Sequence, residues 1–153
     1  MAQLTGIAIT LKTADDDPGI EPRLYIGVVG EGGGREFPLN SEHQDFLPGE
    51  EEKFVLGSIW EGGFIDSATK SPLQSLSGKN NDPAFVPLDL DSVRFVYLRK
   101  QDHDYAYKLQ LLRVVLYGPT DPSKRAFIFA NLYDKNSLWL GSEHGQMVYL
   151  QEV

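Results

Sequence analysis

Short segments of alternating apolar and polar residues, separated by turn-forming residues, run through most of this chain of 153 residues. In LTGIAITLK (residues 4–12), Ile7, Ile9 and Leu11 share one side of an extended chain, and small or polar residues share the other. A period of two is typical of a β-strand with one buried face. Because no strong helical period is found, the sequence predicts an all-β fold, a two-sheet antiparallel β-sandwich of about eight strands.

The apolar positions of these strands predict the core. Strands are expected near 4–12, 24–29, 35–39, 54–56, 91–100, 106–117, 126–132, 138–140 and 147–150. The side chains expected inside are Ile7, Ile9, Leu11, Leu24, Ile26, Val28, Phe54, Phe95, Leu109, Val114, Leu116, Phe127 and Phe129. In 106–117 the apolar set changes face at Leu111–Leu112, which predicts a β-bulge or a shift between sheets.

Residues 57–88 interrupt the strand pattern with several glycines and prolines. We expect a single domain over 1–153 in which 57–88 is a long inserted loop, with a short helix near 72–76. Trp60, Phe64 and Ile65 surround a Gly-Gly pair, so this loop tip is a candidate contact for a partner or a lipid surface. The alternative is that Trp60 folds back as a lid over a sandwich edge.

Composition excludes several function classes. The chain has no cysteine, so disulfides, thiolate metal sites and a cysteine nucleophile are ruled out. Its net charge of −8 disfavours nucleic-acid binding. No run approaches the length of about 20 apolar residues that a membrane-spanning helix requires. The first residues do not resemble a signal peptide, so we expect a cytoplasmic or otherwise soluble protein.

Catalytic motifs are missing from the sequence. It contains no phosphate-binding P-loop and no G-x-S-x-G elbow, and the glycines at 30–34 open a hairpin rather than a helix. His43, His103 and His144 lie in three separate polar turns without metal-ligand spacing. We therefore expect no enzymatic activity, although the many carboxylates leave an acid/base pair open.

Two acidic turns are candidates for binding calcium. Asp15, Asp16 and Asp17 follow the first strand, and Asp102 and Asp104 follow the strand at 91–100. Calcium requires six to eight oxygen ligands, which carboxylates in loops supply if both turns reach the same end of the sandwich. The alternative is that these carboxylates only solvate the turns.

The order of these features resembles the PLAT domain, the lipoxygenase-homology β-sandwich. The resemblance lies in the opening strand, in Phe46, Gly49 and Phe54 of DFLPGEEEKFVL, and in VRFVYLRKQDHD with its acidic turn. It continues in Tyr105 or Tyr107, in Phe127-Ile128-Phe129 and in Trp139-Leu140.

This resemblance implies a non-catalytic binding module that contacts a protein partner or a lipid surface, with calcium in some members of the family. It implies no cofactor other than that ion. The alternative from the residues themselves is a carbohydrate-binding sandwich, because Trp60, Phe64 and Tyr97 are rings able to stack on sugars.

Overall fold

A computed structural model of the chain describes residues 2–19, 21–39, 46–61, 74–75, 82–85, 87–101, 105–129, 137–141, 143 and 145–153. These residues form eleven strands and one 3₁₀ turn, Leu90–Ser92. The strands are β1 (Gly6–Thr13), β2 (Leu24–Gly30), β3 (Gly33–Pro38), β4 (Glu51–Gly57), β5 (Gln74–Ser75), β6 (Val93–Lys100), β7 (Tyr107–Tyr117), β8 (Lys124–Ile128), β9 (Leu138–Leu140), β10 (Met147–Tyr149) and β11 (Gln151–Glu152).

The strands form two sheets that pack face to face. The larger sheet has the order β11-β8-β7-β1-β4-β5, with β9 pairing to the first residues of β7. The smaller sheet has the order β10-β6-β2-β3. All pairs are antiparallel except β4 with β5. The predicted antiparallel β-sandwich is confirmed.

The core lies between the inward faces of the two sheets, and most of its predicted members are confirmed. All but two of the expected core side chains are buried. Phe129 is only partly buried, at the margin of the core. Phe95 was predicted wrongly, because it is 56% exposed on the outward side of β6.

A register shift in β7 explains the change of face in its apolar pattern. Lys12 pairs with Leu111, but the next residue of β1, Thr13, pairs with Leu109, so Gln110 is an extra residue on β7. This bulge lets Leu109 and Leu112 both point into the core although they are three residues apart. The irregularity expected at this position is confirmed.

The chain leaves the larger sheet at Gly57, the last residue of β4. Its φ is +69°, a left-handed conformation that side chains rarely adopt. A Cβ at Gly6 would overlap the Ser58 carbonyl, so the absence of a side chain there lets the segment after β4 cross over β1. Within 57–88, Gln74–Ser75 is a strand, so the helix expected near 72–76 was wrong at these two residues.

Candidate functional site

The outward side of the smaller sheet carries large side chains that solvent reaches. Phe95 on β6 and Met147 and Tyr149 on β10 are 56%, 40% and 60% exposed. Tyr97 on β6 and Tyr25 on β2 continue the surface toward β3 and are half-buried. We call these five residues the aromatic face. Contiguous apolar surface of this kind marks interaction sites more often than isolated exposed residues do.

The alternation of β6 places the aromatic face. Val96 and Leu98 point into the core, so Phe95 and Tyr97 must point outward. Because β6 is apolar on both sides, its pattern alone does not show which set is buried. For this reason the exposure of Phe95 could not be predicted from the sequence.

Register across the smaller sheet brings the rings together. Tyr149 pairs with Tyr97, and its ring centroid lies 5.9 Å from that of Tyr97 and 6.0 Å from that of Phe95. The interplanar angles are 64° and 69°, the edge-to-face geometry that aromatic pairs favour. Tyr149, which the sequence analysis did not single out, is therefore the centre of a three-ring cluster.

Glu36 on β3 forms an ion pair at the border of the aromatic face. Its carboxylate accepts hydrogen bonds from Arg99 Nε at 2.7 Å and Nη2 at 2.8 Å, and from Tyr97 Oη at 2.8 Å. The Arg99 guanidinium lies 4.4 Å from the centroid of the Tyr25 ring, a cation–π contact. These contacts hold the side chains of three adjacent strands in one arrangement.

The ion pair also sets the protonation states at this border. Hydrogen bonds from Arg99, and then from Tyr97, lower the pKa of Glu36, so its carboxylate stays ionised. Partial burial, and then the bond to Glu36, raise the pKa of Tyr97 to about 12. At neutral pH the Tyr97 hydroxyl is protonated and donates a hydrogen bond to the Glu36 carboxylate.

Trp60 lies on the opposite side of the molecule, against the outward side of the larger sheet. Its ring is half-buried beside Tyr117, with ring centroids 5.5 Å apart, and it packs with Ile59 against Ala8 and Val115. Its indole N–H donates to the Ser123 carbonyl at 3.2 Å. Phe64 and Ile65, the other two residues of the expected loop-tip contact, lie outside the described residues.

The turn with Asp15, Asp16 and Asp17 lies beside the start of β7. Asp17 is buried, and its carboxylate accepts hydrogen bonds from the backbone N–H of Lys108 at 2.8 Å and of Gly19 at 3.0 Å. Asp16 is exposed and pairs with the Lys108 ammonium, whose hydrogen bond lowers the pKa of Asp16. The two carboxylates thus have different partners, and Asp17 has a structural role in docking the turn onto β7.

The second acidic turn lies in the chain between Lys100, the last residue of β6, and Tyr107, the first residue of β7. Asp102 and Asp104 themselves lie outside the described residues. Among the residues that the structure describes, no group of three or more carboxylates or imidazoles is arranged to bind a metal. Calcium binding therefore stays a prediction.

Comparisons with known proteins support the fold. No protein-family model matches the chain, and no curated protein matches it. Among solved structures, alpha toxin from Clostridium absonum matches with a TM-score of 0.55 and 18% identity over 98% of this chain. The delta413-417:GS variant of LOX, a lipoxygenase, matches with a TM-score of 0.53 and 11% identity over 97% of this chain.

These neighbours are much longer than this chain. It spans 32% of the alpha toxin and 16% of the LOX chain. At such low identities the matches establish a shared fold, and they agree with the PLAT-like sandwich inferred from the sequence. In the part of the chain that the structure describes, no helix has the length and hydrophobicity needed to span a bilayer.

Proposed function

We propose that this chain is a non-catalytic, PLAT-like binding module that docks a protein partner on its aromatic face. The single observation that supports this most directly is the cluster of Phe95, Tyr97 and Tyr149 on the open side of the smaller sheet. Tyr, Phe, Met and Arg are enriched at the centres of protein interfaces. All four residue types occur on the aromatic face or at its border.

A protein partner suits this surface better than a lipid bilayer does. The rings project from the strands of a sheet rather than from loop tips, so the face is broad and cannot insert deeply between headgroups. The chain carries a charge of −8, which opposes approach to anionic lipids. The ion pair between Glu36 and Arg99 offers a partner hydrogen-bonding groups that are already held in place.

Carbohydrate is the second candidate ligand, and a specific contact favours it. The ring of Tyr97 occupies the space above Gly27, where a Cβ would overlap it. A ring that lies along the sheet beside a carboxylate and a guanidinium can stack on a sugar while the two charged groups bond its hydroxyls. This candidate uses only the part of the aromatic face around Tyr97, where the Glu36 carboxylate and the Arg99 guanidinium lie.

The test compares three versions of the protein. Wild type, a Phe95→Ser/Tyr149→Ser variant and a Phe85→Ser control are used to capture proteins from the source cells, and each captured protein is purified for calorimetry. Phe85 is a suitable control because it is 61% exposed but lies in the 82–85 turn, outside the aromatic face. We expect a partner that binds wild type and the control equally but binds the double variant at least tenfold more weakly.

The same three proteins are assayed with neutral phosphatidylcholine vesicles and with a glycan array. Vesicle or glycan binding that the double variant loses would assign the aromatic face to that ligand and overturn the protein-partner proposal. Equal binding of one purified partner to wild type and the double variant would overturn the role of the face itself.

A further inference from the structure

One arginine joins the two sheets of the sandwich. Arg125, on β8 of the larger sheet, donates from Nη1 to the carbonyl oxygens of Leu90 at 2.8 Å and Val93 at 3.0 Å. These acceptors lie in the 3₁₀ turn and at the first position of β6, a strand of the smaller sheet. Arg125 Nε and Nη2 donate to the two carboxylate oxygens of Glu152 on β11, at 2.7 and 2.8 Å. We call Arg125, Glu152 and the two carbonyl groups the arginine junction.

The segment that contains Glu152 crosses from one sheet to the other within a few residues. Strand β10 pairs with β6 of the smaller sheet, and β11 pairs with β8 of the larger sheet. Between these strands, Leu150 packs against the core and donates its backbone N–H to the Val96 carbonyl at 2.8 Å. The crossing therefore connects the part of the aromatic face that β10 carries to the arginine junction.

Backbone pairing alone holds this segment weakly. Strand β10 has three residues and β11 has two, and each has one neighbouring strand among those that the structure describes. Segments with few backbone hydrogen bonds open locally at a low cost in free energy. The ion pair of Arg125 with Glu152 is bidentate, and such pairs are stronger than neutral hydrogen bonds. The ion pair therefore adds substantially to the contacts that keep the segment docked.

The arginine junction acts on both strands that carry the ring contact between Phe95 and Tyr149. Val93, whose carbonyl accepts from Arg125, precedes Phe95 by two residues, and Glu152 follows Tyr149 by three residues. The centroids of the two rings lie 6.0 Å apart. A shift of β10 away from β6 would separate these rings. The shape of the aromatic face therefore depends on an arginine of the other sheet.

We propose that Arg125 is a positioning residue for the aromatic face, and that docking of β11 through Glu152 regulates the affinity of that face for its protein partner. This inference rests on the proposed function, because it names what controls the same surface. While β11 is docked, the rings of the aromatic face keep one arrangement, and the partner binds without having to order them. When β11 is released, β10 loosens, and the partner must order it, which weakens binding. By linkage, a bound partner holds β11 more firmly on β8.

Two matched variants of the full chain separate the arginine junction from ion pairs in general. Glu152→Gln removes the charge of the junction and keeps a side chain of the same size. Glu31→Gln removes an ion pair between two elements of the smaller sheet, since Glu31 pairs with Arg94, the residue before Phe95 on β6. The first variant breaks a link between the sheets, whereas the second breaks a contact that is closer to the rings in sequence.

Hydrogen exchange of the backbone is measured by NMR without any ligand. The amides of Leu150 and Val153 report on the segment, because Val153 bonds to the Ala126 carbonyl of β8 at 3.0 Å. We expect both amides to exchange about tenfold faster in Glu152→Gln, while the amides of β2 keep their wild-type rates. Glu31→Gln should match wild type throughout. Unchanged exchange of Leu150 and Val153 in Glu152→Gln, or equal acceleration in β2, would overturn the proposal.

The second test uses the partner purified in the capture experiment. We expect this partner to bind Glu152→Gln about tenfold more weakly than wild type, and to slow exchange of the Val153 amide in wild type. Equal affinity for wild type and Glu152→Gln would overturn the regulation but not the proposed function, which depends on loss of binding in Phe95→Ser/Tyr149→Ser. If no partner is captured, the proposed function fails. The nuclear Overhauser contacts between the Phe95 and Tyr149 rings then decide whether Arg125 positions them, since these contacts should weaken in Glu152→Gln, and unchanged contacts would overturn that role.

Discussion

The ring of Tyr97 on β6 lies directly over the backbone of Gly27 on β2, where a Cβ would overlap the ring. The two residues pair across the smaller sheet, so the missing side chain of one provides the space that the other fills. The Tyr97 ring therefore lies close to the sheet, where its hydroxyl bonds to Glu36 and its ring contacts that of Tyr149. This relationship gives the aromatic face its shape.

Gly27→Ala is expected to destabilise the protein by about 1–3 kcal/mol, because the added methyl group displaces the Tyr97 ring. In a Tyr97→Ala background the same change should cost much less, since the space above residue 27 is then empty. Urea unfolding of the four proteins of this double-mutant cycle measures the difference. Equal costs in both backgrounds would show that the ring does not depend on Gly27.

The ion pair of Glu36 with Arg99 predicts a pH dependence of stability. The folded protein lowers the pKa of Glu36 from its ordinary value of 4.5. The stabilisation that the ion pair provides is therefore complete at pH values above the ordinary pKa of Glu36. It is lost as pH falls through the lower pKa that Glu36 has in the folded state. We expect Glu36→Gln to reduce the free energy of unfolding by about 1 kcal/mol at pH 7 and to have little effect in strong acid.

Glu31→Gln is the matched control for the ion pair. Glu31 pairs with Arg94 at 3.0 Å, but their side chains are 74% and 58% exposed. Loss of this ion pair should therefore change the free energy of unfolding little at every pH. Urea unfolding at pH 7 and pH 3 compares the variants. A Glu36→Gln effect of the same size at both pH values would contradict the assignment.

Asp17 is expected to be the structural carboxylate of the first acidic turn. Asp17→Ala leaves the backbone N–H groups of Lys108 and Gly19 without their acceptor, and we expect a loss of about 1–3 kcal/mol. Asp15→Ala, an exposed neighbour in the same turn, should change the free energy of unfolding little. Thermal unfolding of the two variants measures the difference in their stability. Equal losses in both would contradict the structural role of Asp17.

Calcium binding at the two acidic turns predicts a rise in melting temperature in millimolar calcium, because the ion stabilises only the folded state. Asp102→Asn should abolish the rise. The salt bridge of Asp16 with Lys108 competes with the ion, so Lys108→Gln should increase the rise. Identical melting of wild type in calcium and in chelator would rule out the site.

Local patterns in the sequence determined the β-sandwich, most of its core and the irregularity in β7. Apolar–polar alternation and turn-forming residues reflect interactions between neighbours along the chain, so they can be recognised in the sequence without knowledge of the fold. The change of face at Leu111–Leu112 was visible because a bulge shifts the apolar period by one residue.

Tertiary structure alone decided which surfaces are candidate sites. Phe95 faces solvent because the neighbouring Val96 faces the core, a choice that a strand apolar on both sides leaves open. Tyr149 meets Tyr97, and Arg125 meets Glu152, only through the pairing of strands that are distant in sequence. Such pairing depends on the register and order of strands within each sheet, which local alternation does not encode.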